Sequence, residues 1–347
     1  MRRVRSVLLG VVALTVAVAG LATPATAGAT TIEVFPGDSI QDAAHTAQPG
    51  DTILVHAGVY TQSVSIRKDQ ITLQGEGASD TGTVLMPPTG DTRVCAHGAV
   101  GVCLLGFKAA DGSIDDFTLT GVQLQGYPQF GFAAVLTSGL TLQDDAFVGN
   151  GEYGAAAFTT TGTRMLDNTS TGNDIGLYIG DTKKADAEVS GNQIVDNGIF
   201  GIFLRNSAVG DIHDNTITGN CSGILMLNEG RITPHGWQIH DNDISENNKF
   251  CPPDEEGTPA LSGIGVVIIA GDANEIRANT FVRNRPSGDS IASGGVVLVS
   301  GAPENPDLTP DDNLIVGNTF DRNKPNIYSD GTGKHNRIRD NTCTPSC

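Results

Sequence analysis

Positive charge is scarce in this chain. It carries 21 Lys and Arg against 39 Asp and Glu, a formal net charge of −18. That imbalance argues against nucleic acid or an anionic membrane surface as a partner, since both repel it. It also repels an acidic polysaccharide unless cations or a local basic cluster intervene. Aromatic residues make up only 5%, with a single Trp, and one of the four Met is the initiator. So few thioethers, with scattered His, argue against a metal-handling surface. Long apolar runs are missing beyond the N-terminus, so no later segment approaches a membrane span. The one apolar stretch, Val7 to Leu21, follows Met1-Arg-Arg-Val-Arg and precedes Ala25-Thr-Ala27. It is too short to span comfortably and has the form of a secretory signal peptide. Cleavage after Ala27 leaves residues 28–347 as one exported domain. Loss of Arg2, Arg3 and Arg5 then takes the net charge to about −21.

What the chain has in abundance is a recurring phrase. Asn-Gln-Ile-Val-Asp-Asn from Asn192, Asn-Thr-Ile-Thr-Gly-Asn from Asn215 and Asn-Asp-Ile-Ser-Glu-Asn from Asn242 are its clearest copies. Its first position falls at Asp145, Asn168, Asn192, Asn215, Asn242, Asn279, Asn318 and Asn341, a period near 23 residues with two large insertions. A second Asn follows five residues later in all but the last copy, then a Gly and a short apolar run such as Gly201-Ile-Phe-Leu. A fixed period in the twenties, built from β-branched triplets and Asn/Gly corners, predicts a solenoid. The Leu pattern and helices of leucine-rich repeats are missing. Three short strands per repeat with alternate residues inward predict a single-domain, all-β parallel β-helix. Equivalent residues then stack about 4.8 Å apart. The Asn are read as structural ladders, suited to corners by tolerance of positive φ and by amides that bond to copies above and below.

Ahead of the repeats, Thr31 to Phe35 reads as a strand and Ser39 to Ala47 as a short helix with Ser39 as N-cap. The phrases Ser39-Ile-Gln-Asp-Ala-Ala, Pro49-Gly-Asp-Thr-Ile, Ala57-Gly-Val-Tyr and Leu73-Gln-Gly-Glu-Gly resemble the opening of right-handed parallel β-helix proteins of the pectate-lyase-like superfamily. These include pectin methylesterases, chondroitinase-B-like and alginate lyases, and the periplasmic maturation proteins of nitrous oxide reductase. The Asn…Asn…Gly-Ile frame is similar to the repeat of carbohydrate-binding proteins and sugar hydrolases. Together these resemblances span nearly the whole mature chain. They imply a right-handed turn, a helix capping the first coil, and a glycan as ligand. The catalytic phrases of the superfamily are absent. The epimerase signature Tyr-Gly-Phe-Asp-Pro-His has as nearest stretches Phe130-Gly-Phe-Ala-Ala and Tyr153-Gly-Ala-Ala-Ala, which lack the Asp and the His.

Four insertions, at roughly 228–236, 248–262, 285–293 and 301–312, should rise around one face, where loops on a rigid scaffold usually build sites. Alternation makes Ala156, Tyr178, Phe203, Leu225, Val267 and Val297 the outward floor of that face. A contiguous apolar column must be covered, by the insertions or by a partner. At its margins, Arg205, Lys183 and Asp181 are the candidate catalytic residues of a lyase, which would call for calcium to neutralise a uronate. Tyr178, Phe203, Asn228, Glu229, His235 and Trp237 are the candidate ligand-binding residues, Trp237 as a stacking platform. His213 and His240 share a register in successive coils, with Asp211, Gln238, Glu188 and Glu275 nearby, and are the candidate metal ligands. A solvated strand face and loop anchoring are the competing structural readings of all these groups. Six Cys in an exported chain predict disulfides Cys95–Cys103, Cys221–Cys251 and Cys343–Cys347. The expectation is a secreted, monomeric polysaccharide-binding protein, with a uronate lyase and a metal-handling accessory protein as alternatives.

Overall fold

The computed structural model describes residues 28–347 apart from 91, 254–258, 302–304 and 306; the expected signal peptide lies outside the described residues. Each turn of the chain adds one strand to each of three all-parallel sheets. The first sheet has twelve strands, from Thr31–Val34 to Arg337–Arg339. The second has eleven, from Gly58–Thr61 to Thr342–Thr344, and the third ten, from Val64–Ile66 to Ile327–Ser329. Inward residues stack as the alternation requires. Ile212, Ile239, Ile276 and Ile315 share one register and are fully buried. Each such side chain contributes ~1.5–3 kcal/mol of burial. The helix Ile40–Thr46 lays Ile40, Ala43 and Ala44 over the first coil, and the Ser39 hydroxyl caps it by accepting from the Asp42 N–H at 3.1 Å.

The Asn ladders are present and continuous. The Asn192 N–H and Nδ2 both donate to Asn215 Oδ1 at 2.9 Å, and Asn215 repeats the pattern on Asn242 at 3.0 and 2.9 Å. The second file runs through Asn150, Asn173, Asn197, Asn220, Asn247, Asn284 and Asn323 in the same way. A third file, Asn274, Asn313 and Asn336, starts under Trp237, whose N–H donates to Asn274 Oδ1 at 3.1 Å. Burying so many amides is tolerable because their donors and acceptors are paired. One expected detail is wrong. The ladder Asn do not take the positive φ; the residue before them does, as at Asp167, Gly191, Asp214 and Asp241. The left-handed residue turns the chain, which leaves the Asn extended enough for both its N–H and its amide to reach the next coil.

All three disulfides form as paired in the sequence reading. Cys221–Cys251 holds the two described ends of the insertion 248–262, around Cys251 and Leu261, against the outside of the third sheet, and Cys251 and Leu261 exchange backbone hydrogen bonds at 2.9 and 3.0 Å. The Ile291 N–H donates to Ala260 O, tying the next insertion to the same cover.

Candidate functional site

The outer face of the third sheet divides into a covered half and an open half. Beneath the insertions, Phe203, Leu225, Val267 and Val297 form a buried cluster with Cys251 and Leu261. The apolar floor is thus closed by the chain's own loops. Tyr178 is 1% and Phe203 8% exposed, so neither offers the ligand surface assigned to it.

Toward the N-terminus, among the described residues, the cover narrows to the segment about Val94 and Cys95, which packs on Cys103 and Ala133. Register there aligns Phe130 with Tyr153 and Ile175, and Val135 with Phe158, Gly180 and Arg205. Between these columns run Ala133 and Ala156, whose small side chains let the flanking rings lean inward. Phe130 and Tyr153 meet edge to face at 5.0 Å, Tyr153 and Tyr178 at 5.3 Å, and Phe158 tilts over Tyr178 at 4.7 Å. Phe130, Tyr153 and Phe158 are partly buried, less so than Tyr178 beside them. Cys95–Cys103 closes the far end, packing with Val100 and Ala133 beside Phe130. The face is an aromatic window between two disulfide-held walls. Its signal was in the sequence: aromatics at these positions of the copies that lack insertions.

The window ends at a polar corner. Arg205 Nη2 lies 2.7 Å and Nε 2.8 Å from Glu229 Oε2, a carboxylate that also accepts from Asn206 Nδ2 at 3.1 Å. The hydrogen bond that Arg205 donates to Glu229 holds the Arg205 pKa above its ordinary value. Burial pulls the Glu229 carboxyl up, but the Arg205 hydrogen bond and charge outweigh it and leave it below the usual range. Burial likewise pushes the Tyr178 phenol up. Its hydroxyl lies over Gly180, where a Cβ would come within 2.0 Å, and it feels the Arg205 charge without meeting a protein group at hydrogen-bond geometry. Asp181 shares the corner, accepting from Asn206 Nδ2 at 3.4 Å, while Lys183 and Lys184 are exposed beyond it, Lys184 lying 3.8 Å from Asp186.

Other expected site residues have structural work. Trp237 is fully buried and donates from Nε1 to Ser207 O at 2.9 Å, so it cannot stack on a sugar. Its ring fills the space that Gly210 leaves empty: a Cβ there would lie 2.3 Å from Cζ3. Asn228 is buried and pins its insertion, accepting from the Gly230 N–H at 2.8 Å and donating to Ala270 O at 2.9 Å. His235 is exposed, with Nδ1 2.9 Å from Thr233 O.

His213 and His240 do stack, with ring centroids 5.1 Å apart and planes within 4°. His213 lines an open groove of about 460 Å³ on the first sheet, together with Arg164, Glu188, Asp211 and Gln238. Parallel rings aim their lone pairs along parallel lines, so no single ion can lie in both ring planes. Carboxylates already meet them: Asp214 lies 2.8 Å from His213 Nδ1, and Asp241 and Asp211 lie 2.7 and 2.8 Å from the two nitrogens of His240. Among the described residues no group of three or more His, Cys, Asp or Glu is arranged to hold a metal ion. A shared metal does not fit this pair.

The fold matches known architectures. The A-module of Azotobacter vinelandii mannuronan C-5 epimerase AlgE6 is 15% identical, with 92% of each chain covered and a TM-score of 0.53. Pectate lyase Pel9A is 14% identical over 92% of this chain and 82% of that one, at 0.51. DFA-IIIase from Arthrobacter chlorophenolicus A6, solved with GF2, is 11% identical over 85% and 78%, at 0.61. The fold is the right-handed parallel β-helix of the pectate lyases. At such identities the likeness is one of fold alone. The model of the periplasmic copper-binding protein family (NosD) matches residues 108–258, less than half of the chain. No curated protein matches the sequence. Three disulfides and the likeness to a periplasmic family agree with an oxidising compartment outside the cytoplasm. Among the described residues no helix is long and apolar enough to cross a membrane.

Proposed function

We propose that this chain is a secreted, non-catalytic glycan-binding protein whose ligand lies along the aromatic window of the third sheet. The observation that carries the reading is the partly exposed trio Phe130, Tyr153 and Phe158, which lie beside a cluster that the insertions bury. Partly exposed rings on a rigid sheet suit the C–H faces of sugar rings, and the Arg205–Glu229 corner supplies donors and acceptors for hydroxyls. Neighbours whose names specify mannuronan and pectate support a polysaccharide as the ligand class. A lyase draws less support. Its base must give up a proton at working pH, and Glu229 holds Arg205 more firmly protonated than a free guanidinium. The metal-handling alternative is favoured by the match to a periplasmic copper-binding family over residues 108–258 and draws less support from His213 and His240, whose parallel rings do not converge on one point.

Isothermal titration against soluble polysaccharides tests the reading. A saturable heat that Phe158→Ala removes supports it. No heat with any polymer, or a heat unchanged in Phe158→Ala, sinks it. Growing ultraviolet absorbance from an unsaturated product during the same incubations would instead restore the lyase.

A further inference from the structure

We propose that copies of this chain associate end to end, the first sheet of one continuing in register into the first sheet of the next. The outermost strands of that sheet, Thr31–Val34 and Arg337–Arg339, each pair on one side only among the described residues. A strand with a free edge is a template for another strand. At the last coil the core is open as well. Ile338 stands in register on the fully buried Ile315, yet is itself 45% exposed. Ser346 is tied back to Asn326, whose Nδ2 donates to its carbonyl at 2.7 Å, and Arg337–Arg339 stays exposed throughout.

Register decides what the next copy brings. Ile32 begins the inward column that passes through Ile53 and ends at Ile338, and Glu33 begins the outward column that ends at Arg339. A second copy laid on in that register sets its Ile32 over Ile338 and its Glu33 over Arg339. Both charged side chains are exposed, although Arg339 also meets Asp340 at 2.6 Å and Glu33 lies 4.0 Å from His56. Charge is divided in the same sense. Residues 28–66 hold four acids and no Lys or Arg, whereas 322–339 hold five Lys and Arg against the single acid Asp330. Asp38 and Asp42 are exposed at the first end, Lys334 and Arg337 at the last. Like ends repel and unlike ends attract, which selects a head-to-tail contact. Such a contact does not close on itself, so it builds a linear row of copies in place of the monomer expected from the sequence.

Sedimentation velocity of the full-length exported protein, over rising concentration in low and high salt, tests this. The average mass should climb with concentration, and salt should reverse the climb. Glu33→Arg or Arg339→Glu alone should weaken association about tenfold or more, by setting like charges against each other. Both positions are exposed, so each variant should melt with the wild type. Mixing the two variants should restore one contact and hence dimers only, because the unaltered Arg339 of one chain meets the unaltered Glu33 of the other. The salt response of the wild type is read independently of either variant's folding. A monomer at every concentration overturns the proposal, as does association indifferent to salt. Association that neither substitution weakens, or that mixing leaves as weak as in each variant alone, overturns it too.

Discussion

Asp145 occupies a ladder position that is Asn in the seven copies above it, and the substitution Asp145→Asn should stabilise the protein. In the regular copies the amide donates twice: Asn168 Nδ2 reaches Leu142 O at 2.9 Å and Asn192 Oδ1 at 3.0 Å. Asp145 accepts from the Val122 N–H at 2.9 Å through Oδ1, but its Oδ2 is buried without a partner. Burial drives its carboxyl well above the ordinary range, outweighing the backbone hydrogen bonds from Val122 and Gln143. A folded pKa raised above the unfolded value contributes stability below the unfolded pKa, near 3.9, and loses it as pH climbs toward the folded value. At neutral pH the wild type therefore holds either an unpaired buried charge or a proton it would release on unfolding. Asn removes both conditions and restores the missing donors, worth ~1–3 kcal/mol. The assay is denaturant unfolding followed through the single buried Trp237, compared between wild type and variant across pH. Taking the difference cancels the depressed carboxyls, such as Glu229 and Asp330, whose contributions fade in acid. The variant should be more stable at pH 7, with the advantage shrinking toward pH 3. A variant no more stable at pH 7, or a difference flat with pH, would refute the reasoning.

Three further outcomes follow from the same geometry. Asn215→Ala strips five hydrogen bonds from the first ladder and leaves both Asn192 donors facing a gap; a loss of ~3–5 kcal/mol is expected by the same unfolding assay. Gly210→Ala drives a methyl into the Trp237 ring, so a loss of ~1–3 kcal/mol and a shifted Trp237 emission should appear. Cys221→Ala with Cys251→Ala frees a loop closed across 30 residues, removing ~3–4 kcal/mol in the chain-entropy account and uncovering Phe203 and Leu225. Increased binding of a hydrophobic dye by the folded variant would register that uncovering, and unchanged dye binding would show that the insertion stays down without its disulfide.

The architecture was legible because each repeat states its own corners. The Asn pair, the inward β-branched residues and the cysteine grouping are local features that stacking turns into long-range contacts. What escaped was the division of labour within a corner. Asp167, Asp214 and Asp241 take the left-handed turn, a signal present in their residue types, while the Asn behind them do the bonding. The third ladder could have been found from Asn274, Asn313 and Asn336, which keep the 39- and 23-residue steps of the first. The site was less legible, because alternation says which side chains face outward and nothing about what lies over them. Tyr178 and Phe203 point outward as expected and are buried by loops and neighbouring rings, while Phe130, Tyr153 and Phe158 at the edge of that cluster stay partly exposed. Trp237 reads as the start of a solvated strand, and only the vacancy at Gly210 shows it turned inward.

Hydroxyl-radical footprinting of the protein with and without a bound polysaccharide measures the central claim at the level of single side chains. Glycan should shield Phe130, Tyr153 and Phe158 from oxidation and leave Phe35 and Tyr328, exposed at opposite ends of the solenoid, unchanged. Shielding of the groove at His213 with the three rings unaltered would contradict it.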